Sequence, residues 1–191
     1  RSKKGNTMRV TIYDKNPGPG IDQWFLKVTW MVGCWLQKLF GAVDTYKGVG
    51  SWEEARQWLM SLDKIESLQY WGHGSTGAVW ISQKLITAKQ WTTLKEKMSP
   101  SSLIWFRTCS TFQGLRGITY AKDVANGLGC TAAGHTRIIG PLQGGLHTIG
   151  PNAPATWPIS EGEFPSSWWP PHMRWGNNTI TFLATKIPKG W

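Results

Sequence analysis

Acidic residues are scarce in this chain, with 11 Asp+Glu against 21 Lys+Arg and a formal charge of +10. Such an excess favours anionic partners of every kind and selects none of them. Apart from Arg1-Ser2-Lys3-Lys4 the basic residues are scattered singly, and no nucleic-acid reader motif accompanies them, so charge alone makes a weak case for nucleic acid. Cysteine is equally sparse. Cys34, Cys109 and Cys130 are odd in number and widely spaced, which excludes a disulfide framework and paired metal knuckles and leaves at least one free thiol. His135, His147 and His172 have no metal-ligand spacing and no Gly-rich phosphate loop follows a strand, so neither metal nor cofactor is expected. A long uninterrupted hydrophobic run is missing too. Ile21 to Phe40 comes nearest, but Asp22, Lys27, Gln37 and Lys38 break it, so it reads as a helix of a soluble protein without a membrane span.

What is present suffices for a core. Hydrophobic residues make up 40% of 191 positions and charged residues only 17%, far from the composition of a disordered chain, and the length suits a single domain, 1–191. Met8 to Tyr13 alternates as a strand and is closed by Asn16-Pro-Gly-Pro-Gly20. Ile21 to Phe40 carries Trp24, Val28, Met31, Trp35 and Leu39 at helical spacing, the signature of a long buried helix. Ala42 to Val49 reads as a second strand, and Ser51-Trp-Glu-Glu54 caps a helix to about Leu62. Ile65 to Trp71 is a buried strand emptying into Gly72-His73-Gly74.

Ala78 to Ile86 suggests a hairpin, and a helix follows from Thr87 through Lys97 until Pro100. Ser102 to Cys109 is apolar on both faces, as an inner strand would be. Gly117 to Leu128 repeats at helical spacing, Gly129 ends it, and Cys130 to Ile139 returns as a strand. Residues 141–178 form an irregular Pro/Trp-rich excursion before a last strand, Thr179 to Thr185. Gly134-His-Thr-Arg-Ile-Ile-Gly-Pro141 is echoed in Gly145-Leu-His-Thr-Ile-Gly-Pro151, too briefly to define a repeat. Alternation on this scale predicts an α/β fold with a mostly parallel central sheet and helices on both faces, whose ligands bind beyond the C-terminal strand ends.

His73 and Cys109 each stand at such an end, with one crossover between them. A thiol beside an imidazole can attack a carbonyl carbon while the imidazole protonates the leaving amine, and Gly74 lets backbone approach a substrate and donate to an oxyanion. An inert buried thiol and a turn histidine would leave the same pattern. Cys34 in Gly33-Cys-Trp35 is a weaker nucleophile candidate of papain type, with His135 or His147 as its base, because it falls mid-helix.

A strand running into His73-Gly74, then a strand delivering Cys109, resembles the caspase/legumain superfamily of cysteine peptidases. Tyr70-Trp-Gly-His-Gly74, Ile104-Trp-Phe-Arg-Thr-Cys109, Ala121-Lys-Asp-Val-Ala-Asn-Gly-Leu-Gly129 and Thr131-Ala-Ala-Gly more closely resemble bacterial caspase-like domains, across roughly residues 8 to 140. The resemblance implies a three-layer caspase-like fold and a thiol protease acting on protein or peptide substrates through His73, Cys109 and the backbone at Gly74. The caspase Gln-Ala-Cys-X-Gly box is absent; Arg107-Thr-Cys109-Ser-Thr stands in its place, so caspase activity proper is not implied.

In the superfamily the residue two before the nucleophile resembles a specificity determinant. Arg107 there would receive an acidic P1 side chain with its guanidinium fork, with Trp71 and Ser110 beside it as substrate-binding residues; alternatively it pairs with Asp14, Asp44 or Asp123. A catalytically silent interaction module is the rival reading. Trp24, Trp35, Trp58, Trp71, Trp91 and Trp105 are expected in the core, whereas Trp157, Trp168, Trp169 and Trp175 are expected to line a cleft or pack as a lid. The start at Arg1 and end at Trp191 fit a domain excised from a larger parent chain or working with a partner subunit, as a cytoplasmic-acting or secreted effector; the compartment is not legible.

Overall fold

The computed structural model describes residues 7–162 and 178–188. Strands β1 (Thr7–Asp14), β2 (Thr45–Val49), β3 (Lys64–Trp71), β7 (Leu103–Arg107), β8 (Thr131–His135) and β10 (Leu146–Ile149) form one six-stranded sheet in the order β10-β8-β7-β3-β1-β2. All pairs are parallel except β10 against β8. The expected mostly parallel sheet is present. Helices α1 (Ile21–Leu39), α2 (Trp52–Ser61), α3 (Ala88–Thr92) and α4 (Gly114–Leu128) supply the crossovers, and a small sheet of β4 (Gly74–Ser75), β5 (Ala78–Ile81) and β6 (Lys84–Ile86) projects after β3. The local signals act as their chemistry dictates. Ser51 accepts from the Glu54 N–H at 3.1 Å to start α2, and Gly129 ends α4 at φ 70°.

Strand alternation sorts the sheet's two faces. Val10, Ile12, Leu68, Tyr70, Ile104 and Phe106 join α2, α3 and α4 in the main core, with Trp91 wedged against Trp52, Tyr70 and Phe106. On the opposite face Tyr13 and Trp71 meet Cys34 of α1, while Trp105, Ala133 and Leu146 lie under Ile180. Ile180 belongs to β11 (Asn178–Thr181), which pairs with β9 (Leu142–Gly144) as a separate ribbon.

Several expectations are corrected. The helix expected from Thr87 to Lys97 is the five-residue α3 followed by a 3-10 turn at Lys95–Lys97. The strand expected to reach Ile139 stops at His135. The excursion expected to be irregular contributes β9 and β10, and the short echo places Leu146 opposite His135 and His147 opposite Gly134 across an antiparallel pair. The last strand ends at Thr181, not Thr185, and joins β9. Trp157 does not line a cleft; of the two expectations it follows the packed one, being buried, donating to the Phe112 carbonyl at 3.0 Å and stacking on Phe112 and His147. Trp168, Trp169, Trp175 and His172 lie outside the described residues.

The largest correction concerns α1. Its apolar stripe is regular, as the sequence predicts, but it faces away from the sheet: Trp24 is 58% and Trp35 51% exposed, and Ile21, Phe25 and Leu39 are exposed as well. The face that packs is a narrower one of Gly33, Cys34 and Gln37. Gly33 is required there, because a Cβ would stand 2.6 Å from the Trp71 ring.

Candidate functional site

β3 and β7 are adjacent parallel strands in which Trp71 is level with Arg107. His73 and Cys109, each two residues further on, therefore leave the sheet at neighbouring points on its C-terminal edge. Gly74 binds the two loops together. A Cβ at this position would lie 2.5 Å from Thr111 Oγ1, 2.7 Å from Thr108 Cβ and 2.8 Å from the Cys109 carbonyl oxygen, so only glycine lets the backbones approach this closely. Gly77 N–H donates to Thr111 O at 3.0 Å and extends the contact. Gly74→Ala is expected to displace residues 108–111, costing about 1–3 kcal/mol of stability and slowing modification of Cys109 by a thiol reagent. Urea unfolding and alkylation kinetics on the same sample measure both; unchanged values would refute the packing argument.

His73 is half-buried. Its Nε2 lies 2.7 Å from Gln23 Oε1, while the Gln23 amide nitrogen donates to Asp22 Oδ2 at 2.8 Å, so the amide orientation assigns the imidazole proton to Nε2 and leaves Nδ1 as the basic atom. Trp30 meets the ring edge-on at 5.4 Å. Burial lowers the His73 pKa, opposed by the charges of Asp14 and Asp22. Cys109 is partly buried with Sγ 3.8 Å from the Ile139 carbonyl oxygen; burial raises its pKa and that contact opposes the rise. Among the described residues His73 and Cys109 make no hydrogen bond to each other.

Both shifts favour a neutral Cys109 thiol and a neutral His73 imidazole at rest. Alkylation of Cys109 by iodoacetamide should accordingly rise about tenfold per pH unit between about pH 7 and 9. A plateau near pH 6 would instead reveal a resident thiolate–imidazolium pair.

The backbone around the pair is partly committed. Ser110 adopts φ 51° and donates its N–H to Arg137 O at 2.9 Å, and Phe112 N–H goes to His135 O at 3.0 Å. The Trp80 N–H bonds to His73 O, which makes Gly74 opposite Val79 a non-hydrogen-bonded pair. The Gly74 N–H is thus not consumed by β5.

The residues expected to touch the substrate are turned inward. Arg107 is 3% exposed, lies between the rings of Trp71 at 4.8 Å and Trp105 at 4.3 Å, and has all five N–H donors engaged. Its acceptors are Gln143 Oε1, Gln69 Oε1 and the carbonyls of Thr181 and Ala184. None of Asp14, Asp44 or Asp123 pairs with it. Asp14 binds the Ser82 and Asn16 N–H groups, and Asp44 binds Arg9. Burial pulls the Arg107 pKa down to about 9, which still leaves it charged at neutral pH. Trp71 is buried with its indole N–H on Gln69 Oε1, and Ser110 is buried in the turn after Cys109. None of the three forms an open wall. The physical reason is the cover: α1 lies over Trp71 and the β9–β11 ribbon over Arg107.

The alternative pairing of Cys34 with His135 or His147 is not assembled. Cys34 is enclosed by Tyr13 and Trp71 and its thiol pKa is pushed up by burial. His135, fully buried with a pKa lowered to about 3 by desolvation, donates from Nδ1 to Gly144 O at 3.0 Å and accepts from Trp105. His147 is held by Glu161 at 2.7 Å. Cys130 is in the core, as expected.

Sequence reasoning missed Gln23 and Trp30, which orient His73 from a helix 50 and 43 positions away. The one available signal was Gln23 in the first turn of α1. Gln23 also lines a cavity of about 350 Å³, together with Trp24, Lys27, Asn16, Gly18 and Gln83. Among the described residues no group of His, Cys, Asp and Glu could hold a metal ion, and no helix is long and apolar enough to cross a membrane. Comparison with family models, with curated proteins and with solved structures gives no match for this chain.

Proposed function

We propose that the chain is a caspase-like cysteine peptidase domain acting on peptide bonds through His73 and Cys109. The observation that carries this reading is the departure of both residues from the C-terminal ends of adjacent, level parallel strands, with Gly74 packed on the Cys109 carbonyl. In the reaction His73 Nδ1 takes the proton from Cys109 Sγ as the sulfur attacks the scissile carbonyl carbon. The Gly74 N–H is the available donor for the resulting oxyanion. His73 then returns the proton to the leaving amine, and water, deprotonated by the same nitrogen, hydrolyses the thioester. Gln23 and Trp30 hold the ring, and Gln23 Oε1 stabilises the imidazolium that forms.

The raised thiol pKa and the closed Arg107 fork favour a second reading, a catalytically silent caspase-like module used for protein interaction. An acyloxymethyl ketone probe separates the two. Labelling at Cys109 that is lost in His73→Ala supports the peptidase; labelling at Cys34, or none in folded protein, supports the silent module.

A further inference from the structure

Tyr13, Trp71 and Arg107 are level across the parallel neighbours β1, β3 and β7. The chain therefore leaves their C-terminal ends in one row, with Cys109 beyond β7, His73 beyond β3 and the loop from Lys15 to Gly20 beyond β1. The cavity of about 350 Å³ lies at the β1 end of that row and shares Gln23 with His73, whose Nε2 meets Gln23 Oε1 at 2.7 Å. Three segments build it: Gly18 belongs to the loop after β1, Gln23, Trp24 and Lys27 to α1, and Gln83 to the turn between β5 and β6. The fully buried Asp14 carboxylate clamps loop to turn, accepting from the Asn16 and Ser82 N–H groups at 2.9 Å each. Ser82 and Gln83 follow one another at φ 49° and 63° in a two-residue hairpin turn that usually takes Asn and Gly, so Gln83 is held at the cavity at a conformational cost.

Among the described residues, Lys15 and Lys27 are the only charged members of the lining. Lys15 is ion-paired with Glu54 at 2.8 Å, whereas Lys27 has no ion pair among the described residues. The carboxylates of the adjoining segments are already engaged, Asp14 by the two N–H groups and Asp22 by the Gln23 amide at 2.8 Å. An ammonium without a counter-ion, among side-chain amides and one indole, suits a carboxylate. In acyl transfer to Cys109 the sulfur takes the carbonyl carbon while His73 protonates the departing nitrogen, so the leaving fragment runs from Cys109 towards His73 and the cavity lies ahead of it. We propose that this cavity is the subsite for the leaving side of the substrate, holding a carboxylate of that fragment against Lys27. Resting on the peptidase reading, this names its substrate class: peptides acidic on the C-terminal side of the cleaved bond. The carboxylate is an Asp or Glu side chain or the C-terminus of the fragment itself. Because the P1 side chain lies on the other side of the bond, Arg107 plays no part in this selection.

Peptides with one common sequence before the cleaved bond test this, carrying Glu or Gln in turn at each residue after it and ending in a free carboxylate or an amide. The wild-type chain should cleave the acidic member of a pair with about tenfold higher kcat/KM, and the preference should shrink as salt rises from about 0.05 to 0.5 M. A preference for Glu over Gln in the amidated peptides assigns a side chain to the cavity; a preference for the free acid over the amide assigns the C-terminus. Lys27→Gln should bring the ratio to about one, and Lys27→Glu should invert it in favour of Lys at that position. Misfolding lowers all peptides alike and cannot invert a ratio. The acyloxymethyl ketone probe carries no peptide beyond the reacting carbon, so its labelling of wild-type Cys109 reports the dyad without the subsite. Labelling together with cleavage indifferent to both acid placements, or a preference that survives Lys27→Gln, overturns the subsite and leaves the peptidase standing. Neither labelling nor cleavage overturns both.

Discussion

Cys109→Ala should abolish peptide hydrolysis, and His73→Ala should lower kcat/KM by about 10³-fold or more, with the double variant no worse than the cysteine variant alone. The non-additivity matters more than either loss. If His73 serves only to activate Cys109 and carry its proton, removing the thiol leaves the imidazole nothing to do. The resting state sharpens the expectation, because burial holds the thiol protonated and the imidazole neutral, so proton transfer accompanies attack and does not precede it. Gln23→Leu removes the acceptor from His73 Nε2 and should depress kcat with little change in KM, about tenfold, since Gln23 acts through the ring. Steady-state kinetics on a peptide library, with Cys109→Ala as background, would check these ratios. Undiminished turnover in His73→Ala would refute the dyad.

The second large effect is structural. Arg107→Met should destabilise the domain by about 3–5 kcal/mol, because it removes five buried hydrogen bonds to Gln69, Gln143 and the carbonyls of Thr181 and Ala184 together with the cation between two indoles. For a chain of this length that is a fall of about 10 °C in Tm. Arg107→Lys keeps the charge but cannot span four acceptors and should recover only part of the loss. The same pair of variants decides the acidic P1 expectation. A substrate carboxylate reaches this guanidinium only if Gln143 or the 181–184 segment gives way. Normal stability with altered P1 preference in Arg107→Lys would restore the specificity role, and lost stability with unaltered preference would remove it.

Strand alternation assigns Arg107 to one face of the sheet but is silent on what lies over that face. The β9–β11 ribbon lies over it and bonds to Arg107 from residues 36 and 74 positions away. Trp71 was hidden in the same way by Gly33, whose missing side chain lets α1 descend onto the indole. For α1 itself, helical spacing located the apolar stripe correctly and could not say whether the sheet or solvent faces it. The buried stripe runs through Gly33, Cys34 and Gln37, two of which carry little hydrophobic signal.

The sequence by itself determined the strand–helix alternation, the parallel sheet that alternation requires, and the delivery of His73 and Cys109 to one edge of it. These are local consequences of periodicity, turn residues and the handedness of crossovers. Only the tertiary structure decided that Gln23 orients His73, that Arg107 is a buried pin and that the apolar face of α1 is open. Each of those depends on contacts between segments far apart in the chain, and no local pattern encodes which surface a distant segment will cover.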